Sequence, residues 1–240
     1  MAVFVLVHGG GHGGWCYQPV ARRLRAQGHE VHCPTLTGVG ERSHLLAASI
    51  NLDTHITDVV ALLDFEDLSE VILVGHSYGG MVITGVADRA LGRVGQLVYL
   101  DAAIPHDGEA LSAVSPGLLA LAPRNRRIDG VDLCLWPDDP AVAAIYGLAG
   151  SPLADWAMAR LTPHPWNTLT QPLRLDHPAT VAGLPRTIIN CTATLATRPP
   201  ETRSRWLDAD RVWEIDTGHD LMLTDPDAVT GMLDRLAGEA

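Results

Sequence analysis

The sequence predicts an α/β fold: a mostly parallel sheet of about six strands, helices on both faces, and a helical cap inserted over one sheet edge. Three observations carry this. Short apolar runs rich in β-branched residues alternate with stretches of helical periodicity, the pattern of strands covered on both faces. One such run, Val71-Ile72-Leu73-Val74, leads straight into Gly75-His76-Ser77-Tyr78-Gly79, a G-x-S-x-G turn between a strand and a helix. The alternation then stops over residues 105–183 and resumes afterwards. The expected division is a core of residues 1–104 and 184–240, with the cap at 105–183.

The first strand is the apolar run Ala2–Val7, which ends in the loop His8-Gly9-Gly10-Gly11-His12-Gly13-Gly14-Trp15. Cys16–Gln27 has helical periodicity through Val20 and Leu24, and Gly28 closes it. Glu30–Cys33 reads as a short strand stopped by Pro34, and Leu36–Arg42 as a glycine-rich loop. Asp53 is the expected cap of a helix carrying Ile56, Val59, Val60 and Leu63 on one face. Glu70–Val74 is the strand before the serine, and Gly79–Leu91 the helix behind it. Gln96–Leu100 is the next strand, ending in Asp101-Ala102-Ala103-Ile104-Pro105. The stretch 105–183 is rich in proline and shows no strand pattern. Strands return at Arg186–Cys191 and Arg211–Ile215, and a helix from about Pro226 points Val229, Leu233 and Leu236 inward. Right-handed crossovers bring the carboxyl ends of these strands to one sheet edge, where ligands bind in such folds.

Composition narrows the class of function. The chain has 240 residues and is 47% hydrophobic, enough for one α/β domain with a sizeable core. The net charge of −11 argues against nucleic acid as a partner. All 17 basic residues are arginine. The four cysteines, Cys16, Cys33, Cys134 and Cys191, have no C-x-x-C spacing and read as reduced thiols of a cytoplasmic protein. No run reaches membrane-spanning length, so a membrane is not an expected partner, and the apolar N-terminus reads as a strand rather than a signal peptide.

The chemistry centres on Ser77. A serine at the tip of a strand-to-helix turn stands clear of the sheet, with the backbone N–H of Tyr78 facing the same point. Its hydroxyl needs a base, and the base needs a carboxylate. His219, in Asp216-Thr217-Gly218-His219-Asp220 just past the last strand, is the candidate base. His76 is expected to pack beside the turn. The customary place for the acid follows Arg186–Cys191, but no carboxylate stands there before Glu201. Asp101 ends the strand next to that of the nucleophile and is favoured, with Glu201 and Asp208 as alternatives. Trp136, Tyr146, Trp156 and Trp166 in the cap, with Gly9 at the first loop, suggest an apolar or aromatic pocket. A metal pair from His8 and His12 is disfavoured, because a flexible glycine loop does not fix two ligands.

Taken together, these motifs resemble the α/β-hydrolase fold over the whole chain. The combination of His8-Gly9-Gly10, His12-Gly13-Gly14-Trp15, Gly75–Met81 and Arg205-Trp206 is similar to the plant methylesterase and hydroxynitrile lyase group, and to bacterial esterases of that type. The resemblance implies that the N–H groups of Gly10 and Tyr78 form an oxyanion hole and that no cofactor is needed. Two departures matter. The plant relatives carry an acid where this chain has Thr194; some haloalkane dehalogenases place theirs after the earlier strand, as Asp101 would be. Hydroxynitrile lyases carry a threonine at the place of Gly9 and a lysine at that of Asp220, and this chain has no lysine. The expectation is a serine carboxylic ester hydrolase for a small-molecule apolar or aromatic ester, a lactone or thioester included. The alternatives are a hydroxynitrile lyase and a non-catalytic ligand-binding protein of hydrolase fold. A homodimer is the assembly left open.

Overall fold

A computed structural model describes residues 1–117, 124–134 and 140–239. Among these, nine strands form two sheets. The larger has six parallel strands in the order β2-β1-β3-β4-β8-β9: β1 Val3–Val7, β2 Glu30–His32, β3 Val71–His76, β4 Val94–Leu100, β8 Arg186–Cys191 and β9 Arg211–Ile215. Every residue of β3 is buried, as the continuous apolar run requires.

Three helices link the first four strands: α1 Gln18–Ala26, α2 Leu52–Phe65 and α3 Gly79–Arg89. The chain steps from β1 outward to β2, then back past β1 to β3. With right-handed crossovers this reversal puts α1 on one face and α2 and α3 on the other. Helix α1 packs against the C-terminal helix Pro226–Glu239, and α2 against α3. Val229, Leu233 and Leu236 of the C-terminal helix are buried. The reversal leaves a crevice at the carboxyl ends of β1 and β3, the place where open α/β sheets bind ligands.

Two local expectations are corrected. The cap of α2 is Asn51, whose side chain accepts from Thr54 N at 3.0 Å in a reciprocal capping box. Asp53 lies one residue inside the helix, where its carboxylate instead meets Arg89 and the Gln171 amide. The insertion between β4 and β8 is not purely helical. It holds short helices, including Pro140–Ile145, Ala154–Met158 and Trp166–Thr170, but also an antiparallel sheet β5-β6-β7 of Arg124–Ile128, Val131–Cys134 and His164–Pro165. The overlooked signal is Asp129-Gly130, both in left-handed backbone, the turn that a two-residue hairpin demands.

Candidate active site

Ser77 stands at the end of β3 with φ 54°, a left-handed conformation that costs a non-glycine residue about 1–3 kcal/mol. Its neighbours explain the glycines. A Cβ on Gly75 would come within 2.6 Å of Gly79 O, and one on Gly79 within 2.6 Å of Val7 O. Only bare backbone lets the turn double back on itself and let α3 start against β1. Ser77 O accepts from Ala103 N at 2.9 Å, which ties the turn to the chain leaving β4.

Asp101, the first residue after β4, also has a left-handed backbone, with φ 44°. Two strained non-glycine residues thus end adjacent strands on one sheet edge. The Asp101 side chain is fully buried. Its Oδ2 accepts from His219 Nδ1 at 2.5 Å and its Oδ1 from Arg198 Nη2 at 3.0 Å. Thr194 also lies near enough to favour the charged carboxylate. Burial alone would raise the carboxyl, but His219, Arg198 and Thr194 outweigh it and hold Asp101 down at about 2. Ionised Asp101 is therefore the resting state.

His219 hangs on the loop after β9, and that loop is fixed from two sides. The insertion holds it through His219 N to Ile145 O and Asp220 N to Tyr146 O, both 3.1 Å. The elbow holds it through His76 Nε2, which donates to His219 O at 2.9 Å. The His76 and His219 rings lie 4.6 Å apart, so His219 is set beside the serine turn. His76 itself is buried and driven down to about 3 by desolvation, then by His219, which leaves it neutral.

The first loop closes the other side. A Cβ on Gly9 would lie 2.9 Å from Ser77 Cβ, so this backbone runs directly against the Ser77 side chain. The amides of Gly10 and Tyr78 have no acceptor among the described residues. Tyr78 precedes the first turn of α3, where amides lack intrahelical partners. His8 and His12 spend their ring nitrogens on protein groups: His8 on Gly9 O and Leu36 N, His12 on Gly10 O and Asp220 Oδ2.

The sequence-picked carboxylates separate clearly. Asp101 meets His219, whereas Glu201 and Asp208 are exposed. Of the pocket aromatics, Tyr146 reaches the site: it is 4% exposed and stacks on His219 at 6.1 Å. Trp156 is 37% exposed, edge-on to Trp15 with Arg160 over its ring, and makes no contact with the triad candidates. Trp166 heads a short helix and packs partly buried on the core. Trp136 lies outside the described residues. Sequence reading missed Arg198 and the Thr194 contact. A fully buried aspartate demands a second donor besides histidine, and an arginine just past β8 was the signal available.

The fold has relatives among known proteins. The family model described as "Alpha/beta hydrolase family" matches residues 4–231. A carbendazim hydrolyzing esterase from Nocardioides sp. is 45% identical over 180 residues, covering 73% of this chain and 74% of that protein. Methylesterase 18 of Arabidopsis thaliana is 37% identical over 106 residues, 44% of this chain and 40% of its own. Among solved structures, an extracellular alpha/beta-hydrolase from a Paenibacillus species superposes with TM-score 0.82 at 23% identity, covering 98% of both chains. An Arabidopsis methylesterase superposes with TM-score 0.78 at 22% identity over the full length of both. No helix among the described residues is long and apolar enough to cross a membrane. The chain belongs to the alpha/beta hydrolase family, as an enzyme of the esterase type.

Proposed function

We propose that the chain is a serine carboxylic ester hydrolase that works through an acyl-enzyme on small or medium apolar or aromatic esters. The observation that carries this reading is the 2.5 Å hydrogen bond from His219 Nδ1 to Asp101 Oδ2 beside the Ser77 turn. A serine hydroxyl is a weak nucleophile until a base takes its proton. Asp101 keeps the proton on Nδ1, so His219 Nε2 offers its lone pair to Ser77 Oγ as that oxygen attacks the ester carbonyl. The buried carboxylate then offsets the imidazolium charge. The N–H groups of Gly10 and Tyr78 hold the tetrahedral oxyanion, each lowering the barrier by about 3 kcal/mol. His219 passes its proton to the leaving alcohol, and water repeats the sequence on the acyl-enzyme.

Tyr146 against His219 supports an apolar, aromatic-lined pocket. The lyase alternative loses support on steric grounds: a Cβ at Gly9 would lie 2.8 Å from His76 Nδ1, so a threonine has no room there. The four free thiols support a reducing compartment such as the cytoplasm.

A fluorophosphonate should label the wild type on Ser77 and leave Ser77→Ala unlabelled; labelling that persists in the variant overturns the assignment. A panel of methyl esters, aryl esters, lactones, thioesters and carbendazim, named for the similar Nocardioides protein, then defines the substrate. Tight binding across the panel without turnover would favour the ligand-binding alternative.

A further inference from the structure

Beside the site lies a second buried histidine–aspartate pair that the reaction scheme leaves unused. His12 Nε2 and Asp220 Oδ2 are 3.1 Å apart, with side chains 2% and 1% exposed. His12 Nδ1 lies 2.9 Å from Gly10 O. A carbonyl and a carboxylate only accept, so both ring nitrogens must donate, and that requires the imidazolium. The electrostatics agree from both ends. Burial opposes each charge, yet Asp220 raises His12 above the ordinary histidine value and His12 lowers Asp220 below the ordinary carboxylate value.

The surroundings leave His12 no other counter-charge. His76 lies edge-on at 5.9 Å and Tyr146 at 5.7 Å, and Trp15 stacks on the ring at 5.5 Å. His8 and His164 are fully buried and pushed down by desolvation, hence neutral neighbours. The buried Tyr146 phenol is pushed up and stays neutral too.

What the pair connects gives it meaning. Gly10, whose carbonyl His12 grips, carries one of the two amides assigned to the oxyanion. Asp220 is the residue after His219. We propose that the His12–Asp220 pair is a positioning device for the reaction at Ser77, holding the oxyanion loop and the base loop in one fixed relation. The inference rests on the serine-hydrolase reading above. It concerns kcat, because both loops act on the transition state.

The test uses purified full-length protein and p-nitrophenyl acetate. His12→Gln and Asp220→Asn should each lower kcat by about 10- to 100-fold, with KM changed less than about threefold. The double variant should lose no more than the worse single one, because the two residues act as a unit. The wild-type kcat should also decline as pH rises through the raised His12 value and the ring loses its proton, a limb that His12→Gln lacks. A kcat within twofold of wild type in either variant overturns the inference. So do losses that multiply in the double variant, as two independent structural defects would. If the variants do not fold, ring-nitrogen NMR of the wild type decides: a buried histidine that stays doubly protonated at a pH where His8 and His76 are neutral supports the pair, and a neutral His12 ring there refutes it. Failure of the parent reading looks different, since the wild type would then not react with fluorophosphonate at all.

Discussion

Asp101→Asn should cost both stability and turnover, and the two losses have different pH signatures. The carboxyl falls from 3.8 to about 2 on folding. That depression corresponds to roughly 2 kcal/mol of stability at neutral pH. A depressed carboxyl contributes fully above its unfolded value and loses its contribution as pH falls through the folded one. At pH 3 about half should remain, and near pH 2 very little. Asparagine cannot ionise, so the gap between wild type and variant should follow this curve. The catalytic loss has a geometric cause. Arg198 and His219 both donate to the carboxylate, while an asparagine presents only one acceptor. Either Arg198 is left unpaired or His219 turns to the wrong tautomer, and kcat should drop on the order of 10⁴-fold. Urea unfolding at pH 7 and pH 3 reads the first effect, and initial rates with p-nitrophenyl acetate read the second. Near-wild-type turnover, or a stability gap unchanged between the two pH values, would refute the reasoning. Glu201→Gln and Asp208→Asn serve as controls and should stay within twofold of wild type.

Two further outcomes follow from the same geometry. Arg198→Met should destabilise the protein by about 3 kcal/mol, since it strips one partner from a pair whose side chains are 11% and 0% exposed. Lysine should restore it only in part, because the Arg198 guanidinium also lies 3.9 Å over the Trp206 ring; an unchanged denaturation midpoint in Arg198→Met would count against this account. Gly9→Thr should lower esterase turnover more than tenfold through contacts with His76 and Ser77, with a packing cost of about 1–3 kcal/mol, and should release no aldehyde from mandelonitrile.

Much of this was readable from the residues alone. Strands Arg186–Cys191 and Arg211–Ile215 have the bounds that their apolar runs suggest, and the glycines around Ser77 announce its turn. Asp101 was legible because position along a sheet edge can be counted from strand order. What stayed hidden depends on contacts distant in sequence. His12 and Asp220 are 208 residues apart, and nothing local to either marks the other. Arg198 gains its role only when Asp101 is buried beneath it. The hairpin in the insertion was missed because its first strand is polar, Arg-Asn-Arg-Arg before Ile128, so alternation is weak there and the Asp-Gly turn is the clue. Aromatic residues were countable, but their directions were not, which is why Tyr146 and Trp156 ended in such different surroundings.

The position of Asp101 has a consequence for how its distance to Ser77 is kept. Ser77 and Asp101 end neighbouring strands, and the pairings Val74 with Val98 and His76 with Leu100 set their offset. That ladder acts as a ruler. A slip of one residue would turn every side chain of β4 to the opposite face and carry the carboxylate away from the histidine. His219 comes from 118 residues further along, yet it has only one distance to find, because Ser77 and Asp101 are already gauged against each other by backbone hydrogen bonds that side-chain substitutions other than proline leave in place.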